Sequence, residues 1–512
     1  MIERVTVSRG SYHDSARLMH IARELGAVDG IASAEVMMGT TANVALLAGA
    51  GFPRTDLETA TPMDLVVAFR GTAAACDAAA RRLLALLAGD APGTGTPGRQ
   101  QRPATVAEAV RLSPGVNLVS IAVPGPYAAF VAGRALDAGR HVFLFSDNVP
   151  VADEVALKTR AGESGLLLMG PDCGTAIIAG AGLGFANRVP RGPVGIVGAS
   201  GTGTQEVCCL LSHYGVGISH AIGTGSRDLT AAVDGRMTAF ALQLLADDPS
   251  TRAIVLIAKH PAPEVARRLH SVLEHCGKPV VVRYLGEAPR PGALSVTYAD
   301  SLDEAAELAA AAVNHARPGG GPRPAARTET AGGGTRSVSG RLVGLFGGGS
   351  LAAEAQYVLS RHGIRTVEPD RALVPGQPIP GEGHLVVDTG DDTYTVGRPH
   401  PMVDQAVRCG LIRTAGIDPS VGLILIDLVL GDGSHADPAP EIAAAVREAR
   451  DARADGPLAV VCSVCGSVDD PQGTERQVAV LRAADITVTR TAADAARTAA
   501  RLLGHAGEGD GR

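Results

Sequence analysis

The residues best suited to hold an anion form a glycine-rich turn near the middle of the chain. An apolar run at Val194–Val197 is followed by Gly198–Gly203, and a helical pattern begins at about Gln205. A buried strand that turns directly into a helix aims several backbone N–H groups at one point, where the helix dipole adds partial positive charge. No lysine follows the glycines, so the turn is not a P-loop, and a plain structural turn is the alternative. The candidate phosphate ligands are Ser200, Gly201, Thr202 and Gly203.

A second element of the same kind opens the last third of the chain. The apolar run Leu342–Phe346 precedes Gly347–Ser350, and a helical pattern follows at Leu351–His362. A tight turn without a ligand is again the alternative. Two such turns in separate domains favour an arrangement in which two helix N-termini face one anion. The candidate ligands in this turn are Gly348, Gly349 and Ser350.

A polar segment, Asp388–Pro401, follows a third apolar run and combines acidic, basic and imidazole side chains. Ligands of open α/β sheets usually bind where strands end. Arg398 is suited to grip a carboxylate or phosphate with two parallel hydrogen bonds, and His400 is suited to proton transfer near neutral pH. A polar loop with no ligand is the alternative. The candidate catalytic residues here are Arg398, His400, Asp391 and Asp392.

The elements that position these residues follow a repeated pattern. Short apolar runs alternate with segments whose apolar residues recur at three- and four-residue spacing. This alternation predicts βαβ units, and therefore an α/β fold of several Rossmann- and flavodoxin-like domains with parallel sheets. The predicted segments are an N-terminal α/β unit at 1–88, a linker at 89–104, a Rossmann unit at 105–190, a flavodoxin-type domain at 191–316, a flexible linker at 317–339 and a second flavodoxin-type domain at 340–506.

Composition excludes several classes of function. The net charge is -7, and the chain contains no long basic run and only 3% aromatic residues, which argues against nucleic acid and anionic membranes as partners. No apolar stretch reaches the length of a membrane span, and the N-terminus lacks the apolar core of a signal peptide, so we expect a cytoplasmic protein. The spacing Cys462–Cys465 lies in an apolar run and predicts a buried, reduced pair. No metal site is predicted.

Taken in order along the chain, several short motifs resemble the FdrA family. They cover nearly the whole sequence and are Met37–Thr40, Phe145–Asn148, Met169–Thr175, Val197–Gly203, Leu351–Ala355 and Tyr394–Pro401. More distantly, residues 112–290 resemble the α subunit of succinyl-CoA synthetase, and residues 340–504 resemble the carboxyl-terminal lobe of its β subunit. This second resemblance implies a substrate or CoA-like pocket at Pro124, Asp147, Asn148, Asp172 and Cys173.

Two departures from succinyl-CoA synthetase bear on the chemistry. The stretch at 285–297, which corresponds to the segment of the α subunit with the phosphorylated histidine, contains no histidine, and His260 ends a different predicted strand. No segment has the size or pattern of an ATP-grasp domain. The chain alone is therefore not expected to form thioesters with ATP.

The FdrA resemblance implies a subunit of an oxamate carbamoyltransferase, which interconverts oxalurate plus phosphate with oxamate plus carbamoyl phosphate in anaerobic allantoin and purine catabolism. It implies an oligomer containing two further subunits, with phosphate or carbamoyl phosphate between the two glycine turns. Arg398 would hold the oxalyl carboxylate, and His400 or an aspartate would move the amide proton. One alternative is an acyl-CoA synthetase or CoA-binding protein with a separate nucleotide-binding subunit, which would make CoA the cofactor. The other is a non-catalytic scaffold subunit.

Overall fold

The computed structural model describes residues 1–11, 13, 15–53, 57, 59–88, 103–292, 295–314, 338–395, 398–454 and 456–505. These form two compact units. The first contains Met1–Arg102 and Thr395–Pro399, and the second contains Pro103–Tyr394 and His400–Arg512. The predicted linkers at 89–104 and 317–339 fall largely on 89–102 and 315–337, which lie outside the described residues.

The first unit is built on a three-stranded antiparallel sheet with the strand order β1-β3-β2. Its central strand, β3, is buried because its side chains alternate between two apolar clusters, one on each face of the sheet. The elements are β1 (Ile2–Ser8), α1 (Ser15–Gly26), β2 (Ile31–Met38), α2 (Thr41–Gly49), β3 (Leu65–Gly71) and α3 (Ala73–Ala88).

The second unit begins with a small parallel sheet of order β4-β5-β6. Its elements are α4 (Val106–Leu112), β4 (Leu118–Ile121), α5 (Gly125–Asp137), β5 (His141–Leu144), α6 (Val151–Glu163) and β6 (Leu168–Met169). Helices α5 and α6 each follow a strand and pack on the sheet, as βαβ units require.

A seven-stranded sheet of order β13-β12-β11-β9-β10-β7-β8 follows. Strands β9 to β13 are parallel, whereas β7 pairs antiparallel with β10 and β8 pairs antiparallel with β7. Strands β7 and β8 precede the break predicted at 190, yet they extend the sheet of the following segment. The elements are β7 (Thr175–Ile178), β8 (Ala181–Gly184), β9 (Arg191–Ala199), α7 (Gly201–His213), β10 (Ile218–Gly223), α8 (Arg236–Asp247), β11 (Ala253–Ala258), α9 (Pro263–Glu274), β12 (Val280–Tyr284), β13 (Val296–Tyr298) and α10 (Leu302–Asn314).

The last sheet of the second unit is parallel throughout, with the order β15-β16-β14-β17-β18-β19. Its elements are β14 (Arg341–Phe346), α11 (Gly349–Arg361), β15 (Thr366–Val367), β16 (His384–Asp388), α12 (Asp392–Thr395), α13 (Ala406–Ile417), β17 (Val421–Val429), α14 (Pro438–Ala452), β18 (Ala459–Cys465), α15 (Thr474–Ala483), β19 (Thr487–Thr489) and α16 (Ala492–Leu502). The α/β class with several parallel sheets is therefore confirmed.

One hydrophobic cluster joins the two larger sheets of the second unit. It includes residues of α7 and α10 on one side and of α11 and α16 on the other. A fully buried ion pair, Arg283 Nη2 to Glu354 Oε2 at 2.8 Å, crosses the same interface, and Glu354 also accepts a hydrogen bond from the Leu302 amide at 2.6 Å. Helices α7 and α11 are consequently held side by side by the core.

The cysteine pair on β18 lies in the core as predicted, and both thiols are free and buried. Cys462 packs with the α13–α14 side of the sheet and Cys465 with the opposite side, because residues an odd number apart on a strand point in opposite directions. Cys465 Sγ instead lies 4.0 Å from Cys209 Sγ. The two cysteines of the motif therefore cannot share a metal ion.

Among the described residues, no helix is both long and apolar enough to cross a bilayer.

Candidate anion site at two helix N-termini

The first glycine turn leads from β9 directly into α7. Ser200 is the N-cap residue, and no side chain caps the first turn of the helix, so its backbone N–H groups are left for another acceptor. The Thr204 hydroxyl donates a 2.6 Å hydrogen bond to the Ser200 carbonyl and is therefore used within the turn. Thr202 is 92% buried, and its hydroxyl makes no hydrogen bond with any described residue.

The second glycine turn leads from β14 into α11 and already holds an anion of its own. The Gly347 and Gly348 amides donate to the two oxygens of the Asp427 carboxylate at 2.7 and 2.8 Å. Asp427 comes from β17, is fully buried, and forms an ion pair with Arg408 Nη1 at 2.6 Å. The Gly348 amide is thus unavailable to a ligand, and the donors left at this turn belong to Gly349 and Ser350.

The two turns meet, as the sequence predicts. Ser200 Oγ donates to Ser350 Oγ at 2.7 Å, across 150 positions of the chain. A Cβ atom added to Gly348 would lie 2.7 Å from the Thr202 hydroxyl oxygen, and one added to Gly203 would lie 3.5 Å from Ser350 Cβ. The N-termini of α7 and α11 therefore converge, with two hydroxyl groups at the contact. The positive ends of two helix dipoles therefore lie close to one point.

Asp388 lies at the carboxyl end of β16, beside the start of α11. Its Oδ1 accepts a 2.9 Å hydrogen bond from the Gly390 amide, and its Oδ2 packs against Gly349 where a Cβ would stand. Burial raises the pKa of Asp388 to about 6, with the Gly390 amide and the charge of Lys259 opposing the rise and Asp427 and Asp391 adding to it. Asp388 is therefore poised to exchange a proton near neutral pH.

His400 lies close to Asp388 but in a different state. Its Nδ1 accepts from the Met402 amide at 3.2 Å, and its ring packs against Phe185 with centroids 5.9 Å apart. Burial and the charge of Arg408 lower the pKa of His400 to about 4. The imidazole is consequently neutral at neutral pH, and the expected proton transfer near pH 7 is not supported for His400.

The other catalytic candidates follow Asp388 along the chain, with Asp391 and Asp392 in the turn and short helix after β16 and Arg398 in the first unit. Asp391 accepts hydrogen bonds from the Thr393 amide and hydroxyl at 2.9 and 2.8 Å, as a turn-forming residue. Asp392 is exposed, and burial, Asp147 and Asp391 raise its pKa. Arg398 is exposed and belongs to the first unit, where its charge opposes the burial that raises the pKa of Glu35.

The residues predicted for a CoA-like pocket lie in turns at the carboxyl edge of the β4-β5-β6 sheet. The Asp172 amide donates to the Ser146 carbonyl at 2.9 Å, and the Cys173 amide donates to the Leu144 carbonyl at 3.3 Å, which binds these turns together. Helix α5 has Pro124 as its N-cap and no side-chain cap, so the backbone amides of its first turn are available to a ligand at this edge. Burial raises the pKa of the Cys173 thiol to about 12, so Cys173 is a packing residue rather than a nucleophile.

The charge of Lys259 acts on both sets of candidate residues, those beside the glycine turns and those at the edge of the β4-β5-β6 sheet. Lys259 directly follows β11, and it opposes the burial that raises the pKa of Asp388 and of Asp172. The sequence alone does not single out Lys259, Asp388 or Asp427 as a catalytic or binding residue. All three are charged residues at or near the end of a buried strand. For Lys259 and Asp388, this position can be recognised in the sequence because each directly follows or ends an apolar run.

Comparison with known proteins identifies the family. Residues 1–103 match the family described as AllF, heavy metal-associated domain, and residues 345–502 match CoA-ligase. The uncharacterized protein YahF of Escherichia coli K12 is 37% identical over 494 residues, which cover 94% of this chain and 95% of YahF. The chain belongs to the FdrA-type family.

Parts of this FdrA-type chain are also similar to better-known enzymes. The α subunit of succinate–CoA ligase from Aquifex aeolicus is 32% identical over 194 residues, which cover 37% of this chain and 62% of that subunit. The dinucleotide-forming acetyl-coenzyme A synthetase 1 of Ca. Korarchaeum cryptofilum is 16% identical in sequence, with a TM-score of 0.35, covering 81% of this chain and 87% of that one. The CoA-ligase match and the similarity to the succinate–CoA ligase α subunit make the FdrA-type chain CoA-ligase-like in sequence.

The description of the first family mentions heavy metals, and those residues of the first unit that the structure describes do not fit such an ion. Its cysteine, Cys76, is buried in the core on α3. No group of three or more histidine, cysteine, aspartate or glutamate side chains within the described ranges is arranged to hold a metal. Soft metals require thiolate or imidazole ligands, which this FdrA-type chain does not assemble in the described part of that unit.

Proposed function

We propose that the chain is the phosphate-handling subunit of an oxamate carbamoyltransferase that works with two further subunits. The observation that supports it best is the 2.7 Å contact between Ser200 and Ser350, which joins two helix N-termini at one point. Phosphate, or the phosphate group of carbamoyl phosphate, binds there through first-turn amides of α7 and the hydroxyl groups of Thr202 and Ser350. Helix N-termini with hydroxyl donors suit such a group.

The reaction proceeds without a phosphorylated histidine. The stretch at 285–297 contains no histidine, and His260 is exposed, with its Nδ1 2.8 Å from Glu287 Oε1. A phosphate oxygen attacks the carbamoyl carbon of oxalurate, the bond from that carbon to the oxamate nitrogen breaks, and the nitrogen takes up a proton. Each donor aimed at the developing oxyanion lowers the barrier by about 3 kcal/mol.

The test is an assay of carbamoyl phosphate and oxamate formed from oxalurate and phosphate, with the full chain alone and with its partner subunits. Thr202→Val removes the unpartnered hydroxyl and keeps the side-chain shape. We expect phosphate affinity to fall by roughly 10- to 100-fold, as for the loss of a hydrogen bond to a charged group. The matched control is Thr366→Val on edge strand β15, whose hydroxyl makes no hydrogen bond with a described residue. Equal affinities of the two variants would contradict the assignment of Thr202.

A second candidate, a CoA-dependent ligase with a separate nucleotide-binding subunit, is favoured by the CoA-ligase match and by the turns around Pro124. Those turns fit the diphosphate of CoA because α5 and α6 both begin at this edge without a side-chain cap. Thermal shift separates the candidates, because a ligand at 100 times its Kd stabilises its protein by about 2.7 kcal/mol. Stabilisation by CoA and none by phosphate or carbamoyl phosphate would favour the ligase, and stabilisation by none of them would favour a scaffold.

A further inference from the structure

The convergent turns are unequal, and the difference lies in one carboxyl group. At α11, the Asp427 carboxylate already binds two amides and is paired with Arg408. Asp388 packs against the next residue of the same turn, Gly349, and among the described residues only its Oδ1 has a hydrogen-bond donor. A bound anion at the Ser350 hydroxyl would therefore share the start of α11 with an ionised Asp388.

The charged groups with the largest effect on Asp388 lie on neighbouring strands and turns. The cation is Lys259, at the end of β11, and the acids are Asp427 on β17 and Asp391 in the following turn. His400 also lies nearby, with Nε2 2.6 Å from the position of a Cβ on Gly390, and it stays neutral because burial and the charge of Arg408 lower its pKa to about 4. Among these groups, the positive charge of Lys259 opposes the negative charges of Asp427 and Asp391. Arg408 neutralises Asp427.

We propose that Asp388 is the acid–base group of this site and that the site accepts a dianion only when Asp388 carries a proton. The inference rests on the proposed function and names the residue that moves the proton. Protonation removes the like charge beside the anion and turns an acceptor into a donor. The raised pKa of Asp388, about 6, allows this at little cost near neutral pH.

The same proton completes the reaction. As the carbon–nitrogen bond of oxalurate breaks, the oxamate nitrogen takes the proton of Asp388. The attacking hydrogen phosphate loses its proton to the Asp388 carboxylate, which restores the acid. Atoms and charge balance, no oxidant or further reactant is needed, and the reverse reaction uses the same two transfers.

Sulfate is the probe for the binding step, because it remains a dianion throughout the range in which phosphate itself titrates. Its affinity for the full-length wild-type chain is measured by calorimetry from about pH 5 to about pH 8. If only the protonated site binds, the apparent Kd rises about tenfold per pH unit well above the pKa, or about 50-fold from pH 6 to pH 8 for a pKa of about 6. Asp388→Asn should bind sulfate with a nearly constant Kd over this range.

The control is Asp404→Asn, which removes a carboxylate that accepts a 2.7 Å hydrogen bond from the Ala406 amide at the start of α13. This variant should keep the wild-type pH dependence. Wild-type binding of sulfate that is independent of pH would overturn the role of Asp388 and leave the anion site standing. No binding of sulfate or phosphate at any pH, by wild type or by Asp388→Asn, would remove the proposed function itself.

Turnover gives an independent readout. With partner subunits present, Asp388→Asn should lose at least 100-fold in kcat, as for the loss of a general acid, while phosphate binding is retained. Asp388→Glu should recover part of the activity, with a shifted pH profile. Full activity of Asp388→Asn would refute the proposal whatever the binding data show.

Discussion

Replacing Asp388 with asparagine is expected to stabilise the protein, although the residue belongs to the site. Burial raises the pKa of Asp388 from 3.8 to about 6 in the folded chain. One pKa unit corresponds to about 1.4 kcal/mol, so the ionised carboxylate destabilises the fold by up to about 3 kcal/mol. Asparagine keeps an oxygen for the Gly390 amide and carries no charge.

The sign of the pH dependence follows from linkage. Because the folded pKa lies above the unfolded one, the folded chain holds its proton more tightly, and stability is lost as pH rises from about 4 to about 6. Above about pH 6 the full penalty is present, and below about pH 4 it is absent. Asp388→Asn should therefore exceed wild type in stability at pH 8 and match it at pH 4.

The assay is thermal unfolding of wild type and Asp388→Asn at several pH values, without phosphate or sulfate. Since 1 kcal/mol shifts Tm by about 2–4 °C for a domain of 150–250 residues, the variant should melt several degrees higher at pH 8. Asp404→Asn serves as the control and should show no gain. A Tm difference of the same size at pH 4 and pH 8, or none at either, would show that the Asp388 carboxylate is not strained by burial.

Two further predictions concern groups that the site depends on. Arg408→Met leaves Asp427 buried without its cation and should destabilise the second unit by about 3–5 kcal/mol, seen as a lowered Tm. Adding Asp427→Asn should recover part of the loss. If Arg408→Met alone were as stable as wild type, the buried ion pair would be contradicted. All eight thiols are free and buried, and burial raises the pKa of Cys173 to about 12, so native protein should resist alkylation at pH 8 and take up eight labels once unfolded. Rapid labelling of Cys173 in the native chain would show that its turn is open.

Apolar runs and glycine turns in the sequence predict the strands, turns and helices that depend on residues close together in the chain. The run Val194–Val197 with its glycines, and Leu342–Phe346 with Gly347–Ser350, became a buried strand, a turn and a helix in each case. The antiparallel pairing of β7 with β10 is not predicted by the sequence, because it joins segments about 40 residues apart across two intervening strands and a helix. Sheet order of this kind depends on long-range contacts that apolar periodicity does not encode.

The chemistry of the site was less predictable than its location. His400 has the residue type of a neutral-pH proton carrier, but burial and Arg408 give it a pKa of about 4. Asp388 has the residue type of a permanent anion, but burial gives it a pKa of about 6. Residue identity sets the starting pKa and the tertiary environment sets the shift, so residue type alone did not predict the protonation states of His400 and Asp388.

The asymmetry between the turns suggests how one chain makes a selective anion site from two helix ends. Two equivalent N-termini with no counter-charge would attract any small anion, whatever its proton content. In the proposed site, Asp427 neutralises the base of the α11 turn, which leaves the α7 amides, the hydroxyls of Thr202 and Ser350, and the Asp388 carboxyl group, which carries a proton when a dianion binds. In the proposed reaction, hydrogen phosphate returns a proton to Asp388 after Asp388 has given its own proton to the oxamate nitrogen, so the carboxyl group is protonated again after each turnover.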